Sequence, residues 1–237
     1  MSMMRNLALL LLALISISTA AASEINEKAL YDNAMARFRE KSYRKAIISF
    51  QQFVRACPKS NFRFSALYNI GLSYNQLGEY LEAVKAFEEL EDKAAGTIWE
   101  ARACWKKALA KSSVRMMSFT EDEELKERNM SILDMYVRSD ELFAGYPGYL
   151  EEHCRMLFEK SRFEEKNLKD NDRAKSTLLK ILELHPSKSI CCEAFSSLAA
   201  LRNHEKDYDG AVSNYRAIVE HSPASESRAS CLSSHLL

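Results

Sequence analysis

Apolar residues are distributed along the chain in two ways. From Leu7 to Ile17 they form a run with Ser16 as its single interruption, and beyond that run they occur as spaced singles and pairs among charged positions. The spaced part repeats. An alanine followed four residues later by a ring or Leu occurs as Ala46/Phe50, Ala83/Phe87, Ala174/Leu178 and Ala211/Tyr215. Residues four apart share one helix face, so each phrase predicts a helix with a small and a large contact. Ala46 to Ala83 is 37 residues, and Ala174 to Ala211 is again 37. Pro58, Pro186 and Pro223 each lie 12 residues after such an alanine, and Pro147 follows a similar segment. Proline cannot continue a helix, so these positions end each unit.

The fullest copy reads Leu67-Tyr68-Asn69-Ile70-Gly71-Leu72-Ser73-Tyr74, then Gly78-Glu79-Tyr80, then Ala83 and Phe87. This resembles the tetratricopeptide repeat, in which an L-G-x-x-Y helix is paired with an A-x-x-x-F helix. The resemblance implies an all-α, right-handed superhelical solenoid of antiparallel helix pairs. Gly or Ala at Ala34, Gly71, Ala108 and Ala199 would let each first helix approach its partner. Ala46, Ala83, Ala174 and Ala211 would do the same from the second helix. Phe50, Tyr74, Phe87 and Tyr215 would fill the space between consecutive pairs. In register, residues 23–223 hold five repeats, at about 27–58, 64–95, 101–147, 155–186 and 192–223. The third carries an insertion near 112–126, and the fourth has Arg162 where the small residue belongs. Residues 224–237 read as a short capping helix or a truncated sixth repeat. No single pair buries enough apolar surface alone, so stability is a sum of unit and nearest-neighbour contributions.

Composition narrows the function. Lys+Arg and Asp+Glu are 33 each, net zero, which disfavours a phosphate-neutralising nucleic-acid binder. Six glycines, none in a phosphate-cradling motif, leave no nucleotide-binding loop. The basic start, the apolar run and the small residues Ser18 to Ala22 have the three parts of a secretory signal peptide. Residues 1–22 are therefore expected to be removed, with the mature chain beginning at Ala22 or Ser23; an uncleaved anchor is the alternative. The mature chain has no run of the roughly 20 apolar residues a spanning helix needs. Export makes the protein periplasmic or secreted. In layout the chain resembles exported periplasmic repeat proteins of the Tol-Pal coordinator and outer-membrane-assembly types.

Six cysteines (Cys57, Cys104, Cys154, Cys191, Cys192 and Cys231) invite disulfides in an exported protein. Cys154 and Cys191, 37 apart, would occupy one place on neighbouring first helices, where helix spacing strains a bridge. No metal-ligand spacing exists, and no cofactor is implied. His185 and His221 suit helix C-termini, and the acidic run Glu121-Asp122-Glu123-Glu124 suits a helix N-terminus. No catalytic set can be assembled, so the chain reads as a non-enzyme.

The resemblance places the outward stripe of the first helices at Tyr31, Met35, Phe38 and Arg39 in repeat one. In repeat two it holds Tyr68, Leu72, Asn75 and Gln76. So many apolar side chains on an outward stripe imply a concave groove that takes a protein or peptide partner. The alternative cover is the segment Ser23 to Lys28 or self-association. The lysine–asparagine clamp of chaperone-binding relatives is not matched, since Tyr31 and Met35 stand at its first two positions.

Overall fold

A computed structural model of the chain describes residues 27–114 and 122–221. Within them the protein is all-α, its helices paired antiparallel in the manner of a tetratricopeptide solenoid. The described residues up to Ala94 form one compact unit, and those from Ala95 onward a second. The first unit contains α1 (27–39), α2 (Tyr43–Ala56), α3 (Arg63–Gln76) and α4 (Tyr80–Lys93). The second contains α5 (Ile98–Ser113), α6 (Asp122–Ala144), α7 (Leu150–Phe163), α8 (Asn171–Glu183), α9 (Lys188–His204) and α10 (Tyr208–His221). The expected leader 1–22, the C-terminal residues 224–237 and Cys231 lie outside the described residues.

The turn between the two helices of a pair has a recurring geometry. Lys41, Gly78, Lys169 and Lys206 all have positive φ, between 57° and 74°, and each stands five residues before the small alanine of the second helix. Glycine meets this conformation without steric cost; at the other three sites lysine adopts it. Helix starts are fixed locally. Thr97 Oγ1 accepts from Trp99 N at 3.2 Å, and Asp170 Oδ1 accepts from Arg173 N at 2.9 Å. Each satisfies one of the unpaired amides at a helix N-terminus. His185 follows α8 with φ 51°, its amide donating to Leu182 O.

Small residues stand where helices meet. Ala34, Ala46, Ala83, Ala108, Ala174 and Ala199 are completely enclosed, as is Phe50, while Ala211 and Phe87 are nearly so. Gly71 is buried; Tyr74 and Tyr215 are half-buried. A Cβ on Gly71 would stand 2.6 Å from the Phe87 ring, so glycine here is a packing requirement. In the first unit this close fit accompanies ion pairs left at the surface, such as Lys85–Glu82.

The second unit departs from the period twice. Helix α6 runs 23 residues, so part of the extra length of repeat three is helix, beginning beside the exposed Glu123 and Glu124. Residues 115–121 lie outside the description. The second departure follows α7, which passes into a five-residue π-turn, Glu164–Leu168. A π-turn accommodates one residue more than the α-helix it interrupts. The count shows it. Small residues of the two helices lie 12 apart in Ala34/Ala46, Gly71/Ala83 and Ala199/Ala211, but Ser161 and Ala174 lie 13 apart. Ser161 is buried, and its hydroxyl donates to Ala174 O at 3.2 Å. The small residue of repeat four is therefore Ser161, and Arg162, expected at that place, is exposed. The cysteine register moves with it: counted from Ser161 and Ala199, Cys154 corresponds to Cys192, not to Cys191. No disulfide joins the described cysteines. Burial pushes the Cys154 thiol up to about 11, with smaller contributions from Glu151 and Cys191, which leaves it a poor nucleophile.

Polar side chains are buried at these departures, and each finds a partner. Glu164, 2 % exposed, accepts from Lys160 Nζ at 2.6 Å and from Thr177 Oγ1 at 2.7 Å. Asp140 joins three helices, with His153 Nε2 at 2.7 Å and Lys180 Nζ at 2.6 Å. Burial alone would raise the Asp140 carboxyl, but hydrogen bonds from His153 and Lys180 outweigh it and hold its pKa below the ordinary aspartate value. Arg102 bonds both oxygens of Glu152 while lying over the Trp99 and Tyr149 rings, tying α5 to the start of α7.

Candidate protein-binding groove

The stripe expected on the first helices of the first unit is more enclosed than its sequence implies. Tyr31 turns into the packing: its ring stacks on Phe62 at 4.8 Å and meets Phe53 edge-on, and its hydroxyl pairs with Ser65. Phe38 lies edge-on to Tyr43, and the Tyr68 ring is 5.9 Å from that of Phe87. Met35, Leu72 and Asn75 are half-buried, and Asn75 Oδ1 is enclosed without a hydrogen-bond partner. Only Arg39 and Gln76 of the eight are fully exposed. Aromatic rings bury well against one another, and those of this stripe have neighbours within reach. A concavity of about 340 Å³ in this unit lies between α2 and α4, lined also by Leu67, Ile70 and Tyr74 of α3. Its charges balance, with Arg55 and Lys85 against Glu82 and Glu89.

The second unit opens a groove between the first helices α7 and α9, of about 370 Å³. Its apolar part is made by Phe158, Leu178 and Leu201, each largely buried. Ser197 and Ala200 of α9 line one side, and Ser161 and Arg162 of α7 the other. The π-turn brings Glu165 and Lys166 to its rim, and His204 stands on the α9 side. The charges are not equivalent. Arg162 is engaged with Glu159 at 3.3 Å and Glu193 at 4.0 Å, whereas the Lys166 side chain makes no ion pair or hydrogen bond among the described residues. Apolar floor and polar rim together suit a peptide segment, which needs both burial for side chains and partners for its polar groups.

None of these residues stood out in the sequence as part of a groove, although Leu178 did as a packing position. The one available signal was Arg162, a large cation at a position reserved for a small residue; it marks the repeat whose geometry departs. Among the described residues, no group of three or more His, Cys, Asp and Glu side chains is placed to hold a metal ion. No helix among them is long and apolar enough to cross a membrane.

Comparison with known proteins agrees with this architecture. A tetratricopeptide-repeat family model matches residues 65–97, the copy with the fullest motif. No curated protein is matched by the sequence. Among solved structures, a thermophilic TPR protein of Thermus thermophilus superposes with a TM-score of 0.59 at 17% identity, covering 89% of this chain and all of its own. The MamA protein gives 0.56 at 14% identity over 89% of this chain and 96% of that one. A fragment of MamA from Desulfovibrio magneticus gives 0.55 at 14% identity, over 82% and 94%. At such identities the likeness is one of fold, and the fold is that of the tetratricopeptide-repeat proteins.

Proposed function

We propose that the protein is an exported, non-enzymatic scaffold of the cell envelope that binds a segment of another protein along the faces of its first helices. The observation that carries the binding is the α7–α9 groove, an apolar floor bordered by a cation without a side-chain partner among the described residues. Export rests on the composition of residues 1–22. A photo-crosslinking residue at Ser197, inside the groove, should trap a partner in intact cells. The same residue at Leu179, exposed on α8, should not. Equal products from both sites, or none from Ser197, reject the groove. Mass measurement of the protein from cells should place the first residue at Ala22 or Ser23, and an intact leader on the accumulated protein rejects cleaved export.

Self-assembly is the second reading, and one observation favours it. Tyr208, Val212 and Val219, spaced along α10, are 60%, 55% and 42% exposed. An apolar stripe of this kind attracts a second surface. A sedimentation coefficient that does not change with concentration eliminates this reading.

A further inference from the structure

The groove between α7 and α9 exists because repeat four carries one residue too many. In a regular pair, 12 residues separate the small positions, and the first helix continues unbroken into its turn. Here the count is 13, and the surplus is taken up in the π-turn Glu164–Leu168. Inserting one residue advances every following side chain by about 100° around the helix axis, so the rim of the groove presents a different set of groups. The expanded turn is held from inside. Glu164 points into the core, where Lys160 and Thr177 supply donors to its two oxygens, and Lys160 Nζ also reaches Thr177 Oγ1 at 2.8 Å. A buried carboxylate needs such partners, and this one sits at the first residue of the turn. With Glu164 turned inward, the next two residues, Glu165 and Lys166, are left at the groove.

Resting on the groove reading above, we propose that Glu164 is the positioning residue of this site and Lys166 its specificity-determining one. The ligand is a peptide segment that sets a carboxylate against Lys166 and an apolar side chain over Phe158, Leu178 and Leu201. Charge complementarity selects this class. The Arg162 charge is already shared by Glu159 and Glu193, and Glu165 stands next to Lys166 as the groove's own competing anion. A basic ligand would meet Lys166 and Arg162 with Glu165 alone to receive it.

A phage library of random 12-residue peptides, selected on the immobilised full chain, provides an unbiased probe. Recovered peptides should pair Asp or Glu with Leu, Ile or Phe. The strongest of them should lose at least tenfold in affinity to Lys166→Glu and gain severalfold from Glu165→Gln. Glu164→Leu should lose binding although Lys166 remains, while Glu164→Gln, which can still bond Lys160 and Thr177, retains most of it. Far-ultraviolet dichroism checks that each variant is folded, and Lys45→Glu on the exposed face of α2 serves as the charge control. Basic peptides lost on Leu201→Asp overturn the ligand class and leave the groove in place. Peptides indifferent to both Lys166→Glu and Leu201→Asp, or no recovery at all, overturn the groove as well. Equal loss in the Gln and Leu variants of Glu164 overturns its positioning role.

Discussion

The two units solve the same packing problem by different means. In the first, helices approach through small side chains, and ion pairs stay at the surface, with Arg44 and Glu79 73% and 29% exposed. In the second, the period is broken twice and charge moves inside: His153 and Asp140 are 5% and 14% exposed, Lys160 and Glu164 13% and 2%. A regular repeat admits only neutral polar side chains between its helices, such as Ser73 and Asn69, and no charged one. An interrupted one admits charge, and must then supply partners, because an unpaired charge in the interior costs several kcal/mol. Regularity therefore goes with rigid packing, and irregularity with a chemically distinctive surface.

The largest expected effect tests the first half of that contrast. Phe87→Ala empties the space facing Gly71 and should cost about 3–5 kcal/mol. Gly71→Leu should cost about 1–3 kcal/mol by overpacking. Because both act on one contact, the double variant should be less destabilised than the sum, read by hydrogen exchange at α4 amides in the full chain. Strict additivity would mean that the close approach is not what holds this unit.

Acid should separate the units next. The Asp140 pKa lies below its ordinary value, so Asp140 contributes stability that is present at neutral pH. That contribution is lost as pH falls below the ordinary aspartate range and through the lowered pKa. Amides of α7 should accordingly lose protection in acid before those of α3. Asp140→Asn should cost about 1.5 kcal/mol at pH 7, the lower end for hydrogen bonds to a charged group, and abolish part of the acid dependence. Parallel loss in both units would break the comparison.

The effect narrowest in pH range concerns Lys106, whose ammonium lies 3.3 Å from the centre of the Trp105 ring. Burial, only partly offset by Glu159 and Glu152, lowers its pKa to about 8. Between that value and the ordinary lysine range the unfolded chain binds the extra proton, so stability should rise with pH there. Nuclear magnetic resonance of the Nζ group reads this directly, and a titration above pH 10 contradicts it.

Much of the packing could be read from the sequence, because close approach requires a small residue and the requirement recurs at a fixed interval. Ala34, Ala46, Ala83 and Ala199 announce themselves this way. Arg162 shows the limit of that logic. Projecting a constant spacing back from Ala174 lands on it, whereas the fold adds a residue and uses Ser161. Tyr31 shows another limit, since its ring finds Phe62 and Phe53 and turns inward. The interior charges were beyond reach for a different reason. Asp140 and Lys180 are 40 residues apart, and nothing local in either segment designates the other.

The π-turn after α7 has a consequence for how such a chain can change. After it, the phase is restored at once: Ala174 to Ala211 is the same interval as Ala46 to Ala83. A single-codon insertion there redraws one surface and leaves every downstream hairpin in step. Novelty can thus enter a stacked architecture at one rung without asking the others to move.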